Sequence, residues 1–173
     1  MIRSHECATP GYELIGPRDV ITAWRDRLVS AGWPVADAAT LEAERIAAGV
    51  PRWGVDMTDE TIAQEAVLDA LGAISFAKGC YTGQEVVARI HFRGHVNRLL
   101  RRVRADQPMA VGARVLDAAG ADVGEIRSSV TSARYGARAI AMVRREVEPG
   151  SPIAVVGADD VRLAATVEAI TLA

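Results

Sequence analysis

The sequence predicts an α+β fold in which a mainly helical part is followed by a small antiparallel β-barrel. Helix patterns dominate up to about residue 97, and beyond it apolar and polar residues alternate between regularly spaced turns. With 173 residues, half of them apolar, the chain is long enough to bury a sizeable core. We therefore divide it into two domains, residues 1–97 and residues 98–173.

The first part contains two predicted helices. One follows Asp19 and ends near Gly32, because apolar residues recur at helical spacing between them. The other extends from about Asp37 to Ala48 and ends at Gly49, and its alanine, leucine and glutamate content favours a helix.

Two other segments of this part are less regular. Residues 57–71 fit either a third helix or an irregular connection. Residues 11–15 have the composition of a strand, but so little chain precedes them that we expect any sheet they join to lack partners.

The second part is predicted to contain six strands. Glycine and proline turns separate them at the spacing of a small barrel or sandwich. The predicted strands are residues 99–105, 113–117, 122–131, 138–146, 153–156 and 161–169.

Charge and composition exclude several function classes. The net charge of −2 gives no field that would draw the chain to nucleic acid or to an anionic membrane, so we expect neither as a partner. No apolar run approaches the roughly 20 residues of a membrane span, and the start lacks a signal-peptide core, so we expect a cytoplasmic protein. Cys7 and Cys80 form no Cys-x-x-Cys pair, which predicts no metal site.

The run from Lys78 to Glu85 is the most informative part of the chain. Lys78 is the only lysine among 20 basic residues, and Cys80 follows it closely in KGCYTGQE. Thr82 and Glu85 have the spacing of a capping box, which would place Cys80 just before a helix N-terminus. The partial positive charge there and the nearby ammonium would favour a thiolate, a nucleophile or soft ligand. The alternative is a small buried cysteine in an ordinary turn.

Two histidines after this run suggest other possibilities. His91 and His95 are four residues apart, a spacing that places two metal ligands on one helix face, but no third ligand is evident nearby. The basic segment 89–95 contains Phe92 and could contact RNA, or it could be a hinge that touches a ligand.

KGCYTGQE resembles the signature of the YgfZ family of folate-binding proteins, which are relatives of the T-protein aminomethyltransferase of glycine cleavage. Further segments resemble that family in the same order along the chain. They read PRWGVD at 51–56, TIAQE at 61–65, VAR at 87–89 and DVGEIRSS at 122–129.

The resemblance implies a fold and a function. Residues 1–97 would be the C-terminal part of an aminomethyltransferase-like folate-binding α+β domain, and the barrel would follow it. The protein would bind tetrahydrofolate or a derivative and support iron–sulfur cluster assembly or repair. Its partners would be folate, iron–sulfur proteins or their assembly factors, and a separate N-terminal half.

The resemblance also assigns roles to individual residues. Cys80 and Lys78 belong to the signature and would carry any catalytic role. Glu65 lies where relatives have an acid that pairs with the pterin ring, and Arg98 where they have an arginine facing the glutamate tail of folate. The remaining cofactor-binding candidates are Tyr81, Gln84 and Arg89.

Two departures from the family pattern leave other functions open. Ala47 stands where the family usually has a glutamate, so one polar ligand contact would be missing or supplied from elsewhere. The half that carries the catalytic aspartate of T-proteins has no counterpart in these 173 residues. The alternatives are therefore a tetrahydrofolate-dependent aminomethyltransferase and a non-enzymatic module related to tRNA modification.

Overall fold

A computed structural model describes residues 1–4 and 7–171 of the chain. The last two residues of the predicted domain 98–173 and residues 5–6 lie outside this description. The elements in chain order are β1 (Ile2–Ser4), β2 (Gly11–Glu13), α1 (Arg18–Ser30), α2 (Ala38–Ala48), α3 (Gln84–Arg93), β3 (Arg98–Ala105), β4 (Arg114–Leu116), β5 (Asp122–Ser132), β6 (Gly136–Arg144), β7 (Pro152–Val156) and β8 (Arg162–Glu168).

The strand predicted at residues 11–15 is present as β2, and it has a partner. It pairs antiparallel with β1, with Arg3 opposite Tyr12. The expectation that this strand lacks a partner was therefore wrong. A three-residue strand is too short for its alternation to be recognised in the sequence.

Both predicted helices are confirmed. Helix α2 begins where the Asp37 side chain accepts a 2.7 Å hydrogen bond from the Thr40 backbone N–H, an N-cap that satisfies one of the free donors of the first turn. It ends at Gly49, whose φ of 79° is the left-handed conformation that glycine adopts without strain. No residue of helix α1 is buried.

Residues 57–71 form consecutive turns, not a helix, so the irregular alternative is the correct one. Val67, near their end, has a φ of 52°, which interrupts any helical path. Its side chain is buried all the same, in a core with the neighbouring Ala66. These turns place Gln64 and Glu65 against the barrel and helix α3.

All six predicted strands of the second part are present, and they close into a barrel. The order around the barrel is β3-β6-β5-β4-β7-β8, with β3 pairing to both β6 and β8. The register of β5 against β6 shifts between Ile126 and Ser128, so Arg127 is the extra residue of a bulge.

Two cores stabilise this arrangement. The barrel interior is filled by small and branched side chains such as Val103, Val115 and Ala139, none of them exposed. The second core joins Ile46 of helix α2 to Leu100 on the outer side of the barrel, together with Ala66, Val67, Ile140, Met142 and Ile170. This second core fixes the turn segment against strand β3.

None of the helices that the structure describes has the length and apolar content needed to cross a membrane.

Candidate functional site

The cysteine run lies immediately before helix α3. The helix begins at Gln84, and its N-cap is Gly83, with a φ of 84° and no side-chain capping bond. The predicted capping box of Thr82 and Glu85 was therefore wrong, because the left-handed glycine starts the helix one residue after the threonine. Cys80 does precede the helix, and it is exposed, so the alternative of a small core cysteine was also wrong.

Three predicted site residues of this loop are brought together. The Lys78 ammonium lies 4.9 Å from the centre of the Tyr81 ring, a cation–π contact. The backbone N–H of Tyr81 donates to Oε1 of Gln84 at 3.3 Å. The Gln84 amide therefore closes the loop.

Glu65 and Arg98, the two residues assigned to opposite ends of folate, contact each other. Glu65 is 6% exposed, and its Oε1 accepts from Arg98 Nε at 3.0 Å. Its Oε2 accepts from the Ile62 backbone N–H at 3.1 Å and from Arg98 Nη2 at 3.4 Å. The buried carboxylate is thus neutralised by a guanidinium that remains 46% exposed.

Arg98 also borders a cleft on the barrel that is rich in arginine. The cleft has a volume of about 460 Å³, and Arg114, Arg127 and Arg144 line it as well. Arg127 reaches it from the β5 bulge; its Nη2 pairs at 2.9 Å with Glu125, which also lines the cleft, and its Nε has no hydrogen-bond partner among the described residues. No local sequence pattern reveals this grouping, because the four arginines lie on four different strands.

Helix α3 is connected to the Glu65 segment through Gln64. The Gln64 side chain is 5% exposed, and its Nε2 donates to the Val87 carbonyl of the helix at 2.7 Å. Arg89, two residues further on, is exposed on the same helix, and no contact with Glu65 or Arg98 is found for it in the described part of the chain. The structure thus joins the helix to the turn but leaves Arg89 apart from the ion pair.

A buried polar network at Asp56 holds the turn segment on the barrel. Asp56 is 1% exposed; its Oδ2 accepts from Arg45 Nη1 and from the Arg52 backbone N–H, each at 2.8 Å. Its Oδ1 accepts a 2.6 Å hydrogen bond from the Ser128 hydroxyl. Asp56 ends the PRWGVD segment, but no local sequence pattern marks it as a buried acceptor.

Arg45 also sets the charge state of a neighbouring glutamate. Its guanidinium donates to both carboxylate oxygens of Glu42, at 2.7 and 3.0 Å. These hydrogen bonds hold the pKa of Glu42 below its usual value, although partial burial opposes them.

The two histidines do not share a helix face. His91 lies in the last turn of helix α3 and stacks on Phe76 with ring centres 3.6 Å apart, while His95 follows the helix end at Gly94. The spacing hypothesis was wrong, because Gly94 is extended and ends the helix. Among the described residues, no group of three or more His, Cys, Asp or Glu side chains could hold a metal ion.

Parts of the sequence are similar to known proteins. The family model described as "CAF17, C-terminal beta-barrel domain" matches residues 98–170. Two proteins named "tRNA-modifying protein YgfZ", from Escherichia coli (strain K12 / DH10B) and Shigella boydii serotype 18, are each 43% identical over 77 residues. Those matches cover 44% of this chain and 18% of each relative, so the matched part is about a fifth of the length of these relatives.

The fold is similar to that of a solved structure over a longer stretch. The glycine cleavage system aminomethyltransferase T from Bartonella henselae superposes with a TM-score of 0.72 at 19% identity. The superposition covers 89% of this chain and 44% of that one, and it supports the fold alone. The chain is therefore YgfZ-like: it corresponds to the C-terminal half of such a protein, an aminomethyltransferase-like α+β fold that ends in a six-stranded barrel.

Proposed function

We propose that this chain is the C-terminal half of a folate-binding protein that supports iron–sulfur cluster assembly or repair. The observation that carries the proposal is the exposed Cys80 in a KGCYTGQE loop that leads directly into helix α3. In this loop the lysine contacts the tyrosine, and the tyrosine contacts the glutamine, while the thiol faces solvent. This arrangement leaves the thiol accessible to a partner molecule. We expect the protein to act in the cytoplasm, as the sequence predicts.

The arginine cleft supports the folate part of the proposal. Folate carries carboxylates on its glutamate tail, and guanidinium groups bind carboxylates through paired hydrogen bonds. Arg98 keeps nearly half of its side chain exposed, and Arg127 has an Nε without a partner among the described residues. These two residues would hold the tail.

The ring end of folate would compete with Arg98 for Glu65. The Glu65 carboxylate already accepts three hydrogen bonds, and a carboxylate offers roughly four acceptor positions. Two N–H groups of a pterin ring therefore fit only if Arg98 moves away. We propose that Arg98 turns to the tail carboxylates when folate binds and thereby releases Glu65 to the ring.

The bound folate would supply a one-carbon carrier, and the residues of this chain would orient it and present the thiol. Glu65 would fix the ring by accepting its N–H groups, and Arg98 would fix the tail. Lys78, held on the Tyr81 ring, would place a positive charge in the loop that carries Cys80. Cys80 would serve as a redox-sensitive thiol or a transient ligand of iron in the client protein.

Titration with tetrahydrofolate tests the binding part, with this chain alone and with an N-terminal half supplied in trans. We expect Arg98→Met to weaken binding roughly tenfold or more, because a charge-assisted pair is lost. Arg104→Met is the matched control, since Arg104 lies on the same strand and pairs with Glu168. Equal affinity for both variants, or no folate binding in either sample, would contradict the proposal.

A role in tRNA modification is the second candidate, because the two relatives are named as tRNA-modifying proteins. In this chain Phe92 is 71% exposed between exposed basic residues of helix α3, and an exposed aromatic ring can stack on an unpaired base. We expect tRNA binding to weaken steeply with salt and to decrease in Phe92→Ala. Binding that is independent of salt would exclude this candidate.

Aminomethyltransferase activity is the third candidate, favoured by the fold. The superposed aminomethyltransferase T extends well beyond the part that this chain matches. We expect release of ammonia from an aminomethyl carrier only when a polypeptide equivalent to that remaining part is present. If no ammonia is released under those conditions, only the other two candidate functions remain.

A further inference from the structure

A second cavity lies on the side of strand β3 away from the arginine cleft. It has a volume of about 580 Å³, within the size range of small-molecule sites, and lies between helix α3, the turn segment and the barrel. Leu99 and Arg101 of β3 line it, whereas Arg98 lines the other cleft. The site described above does not use this cavity.

Its wall contains a buried acceptor without a partner. The Gln64 side chain is 95% buried, and its Oε1 has no hydrogen-bond partner among the described residues. Its orientation is fixed, because Nε2 donates to the Val87 carbonyl, and rotating the amide would set two oxygens against each other. A buried polar atom without a partner is costly, so a ligand N–H that reached it would be stabilised.

A donor without a partner lies in the same wall. The Nε of Arg101 is buried and unpaired, and the described residues provide this guanidinium with neither a hydrogen bond nor an ion pair. Arginine is positively charged at any physiological pH and binds carboxylates with paired hydrogen bonds. The cavity wall therefore contains a group that attracts a negative charge and an acceptor for an N–H donor.

The remaining charges of the cavity favour a ligand that carries both signs. Asp69, Glu148 and the ion pair of Arg145 with Glu146 line it as well, and no ion pair is found for Asp69 or Glu148 within the described residues. The last turn of helix α3 also borders it, and a helix C-terminus carries partial negative charge. These groups disfavour a ligand that is only an anion and favour one that also carries an ammonium.

Part of the wall is apolar. Ile90 of helix α3 and Leu99 of β3 line the cavity beside the polar groups, and Val96 between these elements is buried against it. An aliphatic side chain of a ligand would be removed from water at this surface.

We propose that this cavity binds a free α-amino acid with an aliphatic side chain. The carboxylate would pair with Arg101, the ammonium would donate to Gln64 Oε1 and face the carboxylates, and the side chain would pack on Leu99. This site is separate from the folate site proposed above, because the two cavities share no lining residue.

Calorimetric titration of the 173-residue chain with three ligands of one carbon skeleton tests the assignment. L-leucine carries both charges, isocaproate lacks the ammonium, and isopentylamine lacks the carboxylate. We expect L-leucine to bind at least roughly tenfold more tightly than either analogue, because each lost charge removes a charge-assisted hydrogen bond. Equal affinities for all three, or no binding of L-leucine up to about 10 mM, would overturn the proposal.

Variants of the two unpartnered residues complete the test. Arg101→Met should abolish the advantage of L-leucine over isopentylamine, whereas Arg104→Met, on the same strand but outside the cavity, should leave it unchanged. Gln64→Leu should reduce the advantage over isocaproate. Because Gln64 also holds helix α3, Arg101→Met remains decisive if the glutamine variant fails to fold. Unchanged L-leucine affinity in Arg101→Met would refute the assignment, whatever the folate titration shows.

Discussion

The Ser128 hydroxyl, on barrel strand β5, donates a 2.6 Å hydrogen bond to the buried carboxylate of Asp56, 72 residues earlier in the chain. The second carboxylate oxygen accepts from Arg45 of helix α2. One side chain therefore connects the helix, the turn that follows it and the barrel. Such a connection is valuable where irregular turns must be held in one position, since they have no regular hydrogen-bond pattern of their own.

We predict that Asp56→Ala lowers the free energy of unfolding by about 3–5 kcal/mol, because it removes the buried acceptor of the Arg52 backbone N–H and the Ser128 hydroxyl and one of the two carboxylates that pair with Arg45. Urea denaturation measures this. Asp160→Ala is the control: its ion pair with Arg114 is exposed and should be worth less than about 1 kcal/mol. Similar losses for the two variants would show that the Asp56 network contributes little.

Gly49→Ala should also be destabilising, for two reasons at one position. The residue has a φ of 79°, and a Cβ added there would lie 2.8 Å from the Ile170 side chain and 2.9 Å from that of Arg102. We expect a loss of at least about 1 kcal/mol, seen as a lower thermal midpoint. Gly32 has a similar φ, but an added Cβ would meet nothing there, so Gly32→Ala serves as the control. The amount by which Gly49→Ala lowers stability more than Gly32→Ala measures the cost of the steric overlap.

The stability of the fold should depend on the ionisation of Glu42. Its pKa is lowered in the folded state by the hydrogen bonds from Arg45, so its contribution is complete above its usual pKa of 4.5 and is lost as the pH falls below that value. We therefore expect the stability difference between the unmodified protein and Glu42→Gln to shrink from pH 6 towards pH 3 in urea titrations. A difference that stays constant over this range would contradict the effect.

Cys80→Ala, introduced into a complete protein, should abolish support of iron–sulfur enzymes in cells without reducing the yield of folded protein, because the thiol is exposed and packs in no core. Cys7→Ala is the matched control, since Cys7 lies outside the loop. The measurement is the activity of iron–sulfur enzymes in extracts. Full activity with Cys80→Ala would remove the thiol from the mechanism.

The exposed face of helix α1 predicts a covering partner. Trp24 is 46% exposed and Trp33, just beyond the helix, is 66% exposed, and Val20, Leu28 and Val29 are also exposed. An apolar face of this kind is typical of a protein interface. We expect tryptophan fluorescence to shift to shorter wavelength when an N-terminal half is added in trans. Trp24→Ala should reduce its affinity, whereas Trp53→Ala, outside the helix, should not.

Much of the fold is predictable because local sequence determines it. Asp37 and Gly49 mark the two ends of helix α2 through their own backbone preferences, and the barrel strands alternate with a period of two. The start of helix α3 was misassigned because two overlapping signals competed there. Thr82 offered a side-chain cap, and Gly83 offered a left-handed backbone, which prevailed.

The candidate site is less predictable because its contacts are distant in sequence. Glu65 and Arg98 are 33 residues apart, and the resemblance assigned them to opposite ends of a ligand, whereas the structure pairs them. The unpartnered atoms of Gln64 and Arg101 depend on tertiary packing, which no local pattern reveals. Gln64 lies beside Glu65 in the TIAQE segment, and that adjacency was the one available signal.

That adjacency gives the turn segment a mechanical role. The Gln64 side chain contacts the helix that follows the cysteine loop, and the backbone carbonyl of Glu65 accepts a 2.7 Å hydrogen bond from the Leu100 N–H of the barrel. A displacement of helix α3 would therefore be transmitted through Gln64 and Glu65 to strand β3. Residues 64 and 65 therefore connect the Cys80 loop, through helix α3, to the strand that carries Arg98.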